Sequence, residues 1–363
     1  MTFRTSLHDE HRRLGARIVE FAGWEMPLTF SGVIAEHRAV RERAGLFDVS
    51  HLGKVEVTGG AAGSLLERLL PGPVESLEDG QARYNLLLTE DGGIVDDLFV
   101  YRRPGSFVVV PNAANTPAVV DALRAASSGD VRIEDGRERW AIIALQGPRA
   151  REIAEQVMPG ANALRLHRFA DFEITGSGVQ VARTGYTGEY GFELFVESER
   201  SVAVWRMLLE AGAEFDILPA GLGARDTLRL EMAYPLHGQD IGPDTNPVEA
   251  GLGWVVDWNK PVFRGRDRVL RMREEGPHRR LVGMLAGGPG IPRHGHPILH
   301  DGTHVGKVAS GNISPVLGKG VALAYVPTEL ASPGTILSVD VRGKHLPMEV
   351  VKPPFIRPAT GRG

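Results

Sequence analysis

Cysteine is absent from the 363 residues. That excludes a disulfide framework, a thiolate metal site and a cysteine nucleophile. A charge of one sign is missing too: 41 basic residues against 45 acidic ones leave a net charge of -4, so no global field points to nucleic acid or to an anionic membrane. No apolar run approaches the roughly 18 residues of a membrane span. The N-terminus carries Arg4, His8, Asp9 and Glu10 in place of the charged tip and apolar run of a secretory signal. A soluble cytoplasmic protein, binding neither nucleic acid nor membrane, is the expectation. The six-residue dinucleotide fingerprint is absent, as is any Walker-type Gly-Lys-Ser/Thr, which argues against a nucleotide enzyme.

What the chain does have is length and strand-forming sequence. Single cores stop growing near roughly 250 to 300 residues, so two or three domains are expected. The stretch from Gly92 to Asn112 reads as a hairpin, because β-branched and aromatic residues dominate both arms and Pro104-Gly105 makes a two-residue break. Asp96 and Asp97 lie side by side on its first arm. Successive strand residues face opposite sides, so either one of the two carboxylates is turned inward or both are wet at a hairpin end. An inward carboxylate is costly unless it is paired, hydrogen-bonded or holding a ligand.

Ser6 to Leu14 and Val33 to Ala44 read as helices, each closed by a glycine, Gly15 or Gly45. Between them, Phe21-Ala-Gly-Trp-Glu-Met-Pro reads as an apolar loop. His8 and His11 stand three apart with no third ligand near them, which favours a helix surface over a metal pair, and no metal is expected. From Lys54 the order is strand, helix, three strands, helix, strand, ending at Glu134. Apart from one extra strand this is the split β-α-β pattern of ferredoxin-like domains. A second α+β unit follows, with strands at Trp140 to Leu145, Val179 to Arg183 and Phe192 to Val196, and helices at Pro148 to about Met158, Ser201 to Glu210 and Leu222 to Met232. Past the arginine-rich stretch Arg264 to Arg280, helical periodicity stops. Residues from about Leu281 to Phe355 read as a small all-β domain, with a boundary near Pro277. The expected division is 1–276, two intertwined α+β domains of which one runs roughly 52–136, and 277–363, a C-terminal barrel or jelly-roll-like domain.

Seven separate stretches, in order, resemble the aminomethyltransferase (T protein) family of the glycine cleavage system. They are Glu20-Phe-Ala-Gly-Trp-Glu-Met-Pro, Glu36-His-Arg-Ala-Val-Arg, Gly45-Leu-Phe-Asp-Val-Ser-His, Gly92-Gly-Ile-Val-Asp-Asp-Leu, Arg183-Thr-Gly-Tyr-Thr-Gly-Glu-Tyr-Gly-Phe-Glu, Gly223-Ala-Arg-Asp-Thr-Leu-Arg-Leu-Glu, and Gly311-Asn-Ile-Ser-Pro with Ala322-Leu-Ala-Tyr-Val. The resemblance implies a three-domain α+β cloverleaf around a folate site. It also implies transfer of the methylene of an aminomethyl group, carried on the lipoyl arm of H protein, to tetrahydrofolate, giving 5,10-methylenetetrahydrofolate and ammonia.

By the same resemblance Asp97 is the catalytic acid near the folate nitrogens and Arg225 is the basic residue of the site. Glu193 is the acceptor for the pterin, whose adjacent ring nitrogen and amino group suit one bidentate carboxylate. Tyr84, Tyr101, Val110 and Tyr186 line the ring slot, and Asn112 supplies an amide. Arg357 is the candidate for the C-terminal residue that reaches the folate. The alternative is a folate-binding protein of the same superfamily without transferase activity, but such proteins usually carry a reactive cysteine motif and this chain has none. A flavin-dependent demethylating oxidase is the other rival. Such enzymes carry an upstream dinucleotide-binding domain, and with the folate-like motifs starting near Glu20 none is expected here.

Overall fold

The computed structural model describes residues 2–357 and 359. The chain divides into two compact units, one built from Met1–Asn85, Asp97–Arg225 and Ala359–Gly363, the other from Leu86–Asp96 and Asp226–Pro358.

The first unit opens with a three-stranded sheet in the order β1-β3-β2, formed by β1 (Phe3–Arg4), β2 (Arg17–Phe21) and β3 (Trp24–Thr29), with α1 (His8–Arg13) between the first two strands. The apolar stretch expected to be a loop is therefore the β2–β3 hairpin. Its two turn residues, Ala22 and Gly23, have φ of 52° and 81°, the backbone of a type I′ turn. Alanine in the left-handed region gives no turn signal, so the hairpin is invisible to residue preferences. His8 and His11 are buried, contrary to the helix-surface expectation. The His8 Nε2 lies 2.8 Å from Glu25 and the His11 Nε2 lies 2.8 Å from Asp48. The His11 ring packs edge-on against Phe30 and Trp205.

Next come α2 (Val33–Glu42) and β4 (Gly45–Asp48). Gly15 takes a φ of 77° just after α1, as a left-handed cap does. Gly45 does not cap α2: it begins β4, where an added Cβ would stand 2.3 Å from the Val40 Cγ2. The glycine is there for close strand-on-helix packing.

The expected strand and helix order then appears as β5 (Val55–Thr58), α3 (Ala62–Leu69), β6 (Gln81–Leu88), β7 (Ile94–Arg103), β8 (Ser106–Val110), α4 (Thr116–Ala126) and β9 (Arg132–Asp135). The five strands form one sheet in the order β6-β7-β8-β5-β9. Arg103 pairs with Ser106 across the Pro104-Gly105 turn. Asp96, Leu98 and Val100 alternate on one buried face of β7, while Asp97 and Phe99 on the other are only half-buried. The fully buried carboxylate is thus Asp96, and Asp97 looks out from the opposite face.

β10 (Trp140–Gln146), α5 (Ala150–Val157), β11 (Phe169–Ile174), β12 (Ser177–Ala182), β13 (Gly191–Glu197), α6 (Ser201–Ala211) and β14 (Leu218–Pro219) follow. Their sheet runs β11-β12-β13-β10-β4-β14. Its core gathers Leu46, Ile143, Leu145, Phe192 and Leu194 from the strands with Ile153, Trp205 and Leu208 from α5 and α6. After it comes α7 (Leu222–Glu231).

The second unit contains α8 (Arg266–Glu275) and six strands: β15 (Arg279–Ala286), β16 (Pro297–His300), β17 (Thr303–Ser314), β18 (Lys319–Pro327), β19 (Ile336–Val341) and β20 (Lys344–Val351). They close into a barrel in the order β15-β18-β17-β16-β19-β20. Its interior is filled by Met284, Ile298, Val308, Ala322, Leu337, Val339 and Met348. The segment Leu86–Asp96 belongs to this unit. The Ile94 amide donates to the carbonyls of Gly242 and Thr245 at 3.1 and 3.0 Å, and an added Cβ on Gly93 would stand 1.8 Å from the Pro243 carbonyl oxygen. Among the described residues no helix is long and apolar enough to cross a membrane.

Candidate functional site

Asp97 projects from the middle of β7 on the half-buried face. The Tyr84 hydroxyl donates to its Oδ2 at 3.0 Å, and the Asn112 amide donates to its Oδ1 at 2.9 Å and to its backbone carbonyl at 3.0 Å. Both partners come from flanking chain, Tyr84 from β6 and Asn112 from the residues just after β8. The carboxylate is thereby fixed in direction while remaining accessible.

Two residues along the same face, Phe99 stands 5.7 Å from the Tyr84 ring and 6.1 Å from the Tyr101 ring. Tyr101 is buried, packed edge-on to Phe169 and Phe195. Its hydroxyl meets the Thr184 Oγ1 at 3.3 Å, and that Thr184 hydroxyl donates to the Glu193 Oε2 at 2.5 Å. Burial pushes the Tyr101 phenol well above its ordinary range, with the nearby Glu193 carboxylate adding to the rise. Glu193 lies on β13 opposite Ala144 and Ala182. Two small neighbours leave room beside its carboxylate.

The glycine-rich turn between β12 and β13 carries Thr184, Tyr186 and Thr187. It is bound to the end of β10 by Gln146, whose Nε2 donates to the Thr184 carbonyl at 3.2 Å and whose Oε1 accepts from Thr187 at 2.7 Å. A Cβ on Gly185 would stand 2.2 Å from that Gln146 Oε1, so no larger residue permits the approach. The turn presents Tyr186, and the Arg225 guanidinium sits 4.7 Å from the centre of its ring. Burial disfavours the Arg225 charge and the Glu193 carboxylate opposes that effect, leaving the guanidinium pKa below its ordinary value. The Arg225 amide donates to the Gly221 carbonyl at 3.1 Å, and its guanidinium makes no side-chain hydrogen bond among the described residues.

Sequence reasoning missed Phe99, Thr184, Gln146 and His51. His51 is buried in the turn after β4, edge-on to Phe21, with its Nδ1 unpartnered among the described residues. Burial, then the neighbouring Arg225 and Lys54 charges, lower its pKa to about 3 against the pull of Asp48, so it is neutral at physiological pH. Val110 is buried at the end of β8. Arg357 is exposed beyond β20 and belongs to the second unit. Among the described residues no group of His, Cys, Asp and Glu side chains has the arrangement of a metal site.

One face of the first unit therefore offers a directed carboxylate, a second carboxylate held by a hydroxyl, three aromatic rings in edge contact and a guanidinium stacked on a tyrosine. Carboxylates accept paired N–H donors and aromatic edges receive a planar ring. The chemistry suits a flat, nitrogen-rich ligand.

Residues 7–260 match the GCVT N-terminal domain, and residues 279–356 match the glycine cleavage T-protein C-terminal barrel domain. The aminomethyltransferase of Halothermothrix orenii is 42% identical over 355 residues, covering 97% of this chain and 99% of that protein. That of Rubrobacter xylanophilus is 46% identical, covering 98% of this chain and 94% of its own length. A crystal structure of glycine cleavage system aminomethyltransferase T from Bartonella henselae superposes with a TM-score of 0.92 at 34% identity, over 99% of both chains. The chain therefore belongs to the aminomethyltransferase family of the glycine cleavage system, the T proteins, and is a transferase enzyme.

Proposed function

We propose that the acceptor of this transferase is tetrahydrofolate and that the donor is the aminomethyl group on the lipoyl arm of H protein. The observation that carries the reading is Asp97, held by Tyr84 and Asn112 on the half-buried face of β7. In the reaction two folate nitrogens bond to the methylene carbon while its bonds to sulfur and to the amino nitrogen break. The two folate N–H protons leave with the thiol and the ammonia, so the step balances without an oxidant. Asp97 accepts or holds a proton as the folate nitrogen attacks, and its charge stabilises the cationic iminium formed as a bond to carbon breaks. Glu193 receives the pterin donors, Tyr84, Tyr101, Val110 and Tyr186 bound the ring, Asn112 supplies an amide beside Asp97, Arg225 is the basic residue of the site, and Arg357 is the candidate for the C-terminal residue that reaches the folate.

The site residues other than Arg357 fall in the proposed folate-binding region, 1–276, of which residues from roughly 52 to 136 form one α+β domain; the proposed barrel domain is 277–363. The reaction requires no metal in this scheme, lipoate arrives with the partner, and the proposed compartment is the cytoplasm. The test is ammonia release from an aminomethylated lipoyl carrier with and without tetrahydrofolate. Release that does not depend on folate would overturn the reading.

The proposed H-protein surface is α8. Arg264 and Arg268 are paired with Glu90 and Asp91 at 3.0 and 3.6 Å. Arg271 has no partner among the described residues, and Arg273 lies 4.2 Å over the Trp258 ring. An acidic carrier is steered by these arginines, whose field Asp267, Glu274 and Glu275 on the same helix offset in part, at rates that fall with salt. Replacing Arg271 and Arg273 by Glu is expected to raise the Michaelis constant for the carrier severalfold at low salt and to leave folate affinity untouched. An unchanged constant removes α8 from the docking surface.

A further inference from the structure

The second unit contains a cavity of about 560 Å³ beside β15, β17 and β18, with no aspartate or glutamate among its lining residues. Its polar lining consists of Gln239, His278, Arg279, His294, Lys307 and Tyr325. The backbone makes the space: at Gly306 an added Cβ would stand 2.3 Å from the Tyr325 carbonyl oxygen, so that floor carries no side chain. The β17 register shifts between Val308 and Ser310, a bulge of the kind that re-aims backbone groups. The extra residue is Ala309, whose carbonyl lies 2.6 Å from the His294 Nδ1. A carbonyl only accepts, so that contact makes Nδ1 the donor of the His294 ring.

Several groups with hydrogen-bonding capacity remain uncommitted around the cavity. Arg279 gives Nε and Nη2 to Glu249 at 2.9 and 3.1 Å and stacks 4.7 Å over Tyr325, which leaves Nη1. Gln239 uses its Oε1 on Ser310 at 3.1 Å, which leaves its amide N–H groups. Lys307 and the His278 ring have no partner among the described residues. Glu249 offsets the charge of Arg279, so the net positive charge comes from Lys307, with fixed N–H donors around it. Charge-assisted N–H donors select oxyanions, here with the Lys307 charge left over after Glu249 has offset Arg279, and the volume is that of a small-molecule site.

We propose that this cavity binds a small organic molecule bearing at least two oxyanion groups, a phosphate ester or a polycarboxylate. The inference does not rest on the transferase reading. It is tested by calorimetric titration of the full-length protein with pyrophosphate in one arm and citrate in the other. The expected result is saturable one-to-one binding, with the preferred probe assigning phosphate or carboxylate. Lys307→Glu and Gln239→Glu should each weaken it at least tenfold, and Lys344→Glu, on β20 outside the cavity, should leave it unchanged. Matched thermal unfolding midpoints establish that the variants are folded. Absence of saturable binding of either anion, or equal weakening by Lys344→Glu and Lys307→Glu, overturns the proposal.

Discussion

Two arginines four residues apart on α7 have opposite surroundings. Arg229 is buried and saturated: Nε and Nη2 bond Asp226 at 2.9 and 2.8 Å, Nη1 bonds Asp240 at 2.6 Å and the Tyr234 carbonyl at 3.1 Å, and Nη2 also meets Ser310 at 2.8 Å. Arg225 has a tyrosine ring and a distant carboxylate. The Arg229 network uses every guanidinium nitrogen and stabilises the fold, although the Asp240 Oδ1 stays unpartnered among the described residues, while the half-buried Arg225 guanidinium makes no side-chain hydrogen bond. Withdrawing such a group from water without a hydrogen bond is costly, which is the physical ground for the proposed ligand role of Arg225.

The comparison breaks most sharply at Asp97. Asp97→Asn keeps the shape but removes charge and basicity, and turnover should fall roughly 100- to 10,000-fold with folate binding largely retained. Single-turnover kinetics beside a binding titration check this, and an Asp96→Asn variant with the greater loss would reverse the assignment. At the filled network, Arg229→Met strands Asp240 in the interior. A loss of about 3–5 kcal/mol of stability is expected from denaturant melts, with activity per folded molecule preserved.

Arg225→Met should do the opposite, weakening folate while leaving the unfolding midpoint unchanged or raised. Glu193→Ala should weaken folate by about 1.5–3 kcal/mol in calorimetry, the range for hydrogen bonds to a charged group. If Arg225→Met destabilised the protein as much as Arg229→Met, the contrast between the two would fail.

The smallest effect belongs to a pair far from either arginine. Glu10 is bonded by Arg13 and then by Arg206, and these outweigh burial to lower its pKa from 4.5 to about 2. A depressed folded-state pKa gives stability that is present above 4.5 and lost as pH falls toward 2. Because both arginines are more than half exposed, solvent screening limits the contribution to about 0.2–1 kcal/mol. Glu10→Gln should cost that much at pH 7 and flatten acid unfolding between pH 4.5 and 2.

The sequence carried the hairpin and the ferredoxin-like order because both are local: Pro104-Gly105 fixes the turn, and Val, Ile and Phe at alternate positions fix the strands. It also showed that Asp96 and Asp97 face apart, but not which face is covered. Coverage depends on elements far along the chain. The burial of His8 and His11 was hidden for the same reason, since their partners Glu25 and Asp48 lie on other elements. Thr184 and Gln146 were illegible because a threonine hydroxyl or a glutamine amide becomes a site component only through what it touches. The β11 strand, Phe169–Ile174, was missed because its burial does not alternate cleanly.

The segment Leu86–Asp96, anchored through Ile94 on Gly242 and Thr245, also has a kinetic consequence. During synthesis β6 and β7 emerge early, yet the contacts that hold the segment between them are made about 150 residues later. Closing a loop of that length costs on the order of 4 kcal/mol of chain entropy before any contact repays it. Neither unit is a continuous stretch of chain, so vectorial folding one unit at a time is unavailable to this protein. The β6–β7 turn can close on itself early, with the Thr89 amide on the Gly93 carbonyl at 2.8 Å, but it lacks its contacts with Gly242 and Thr245 until those residues have left the ribosome.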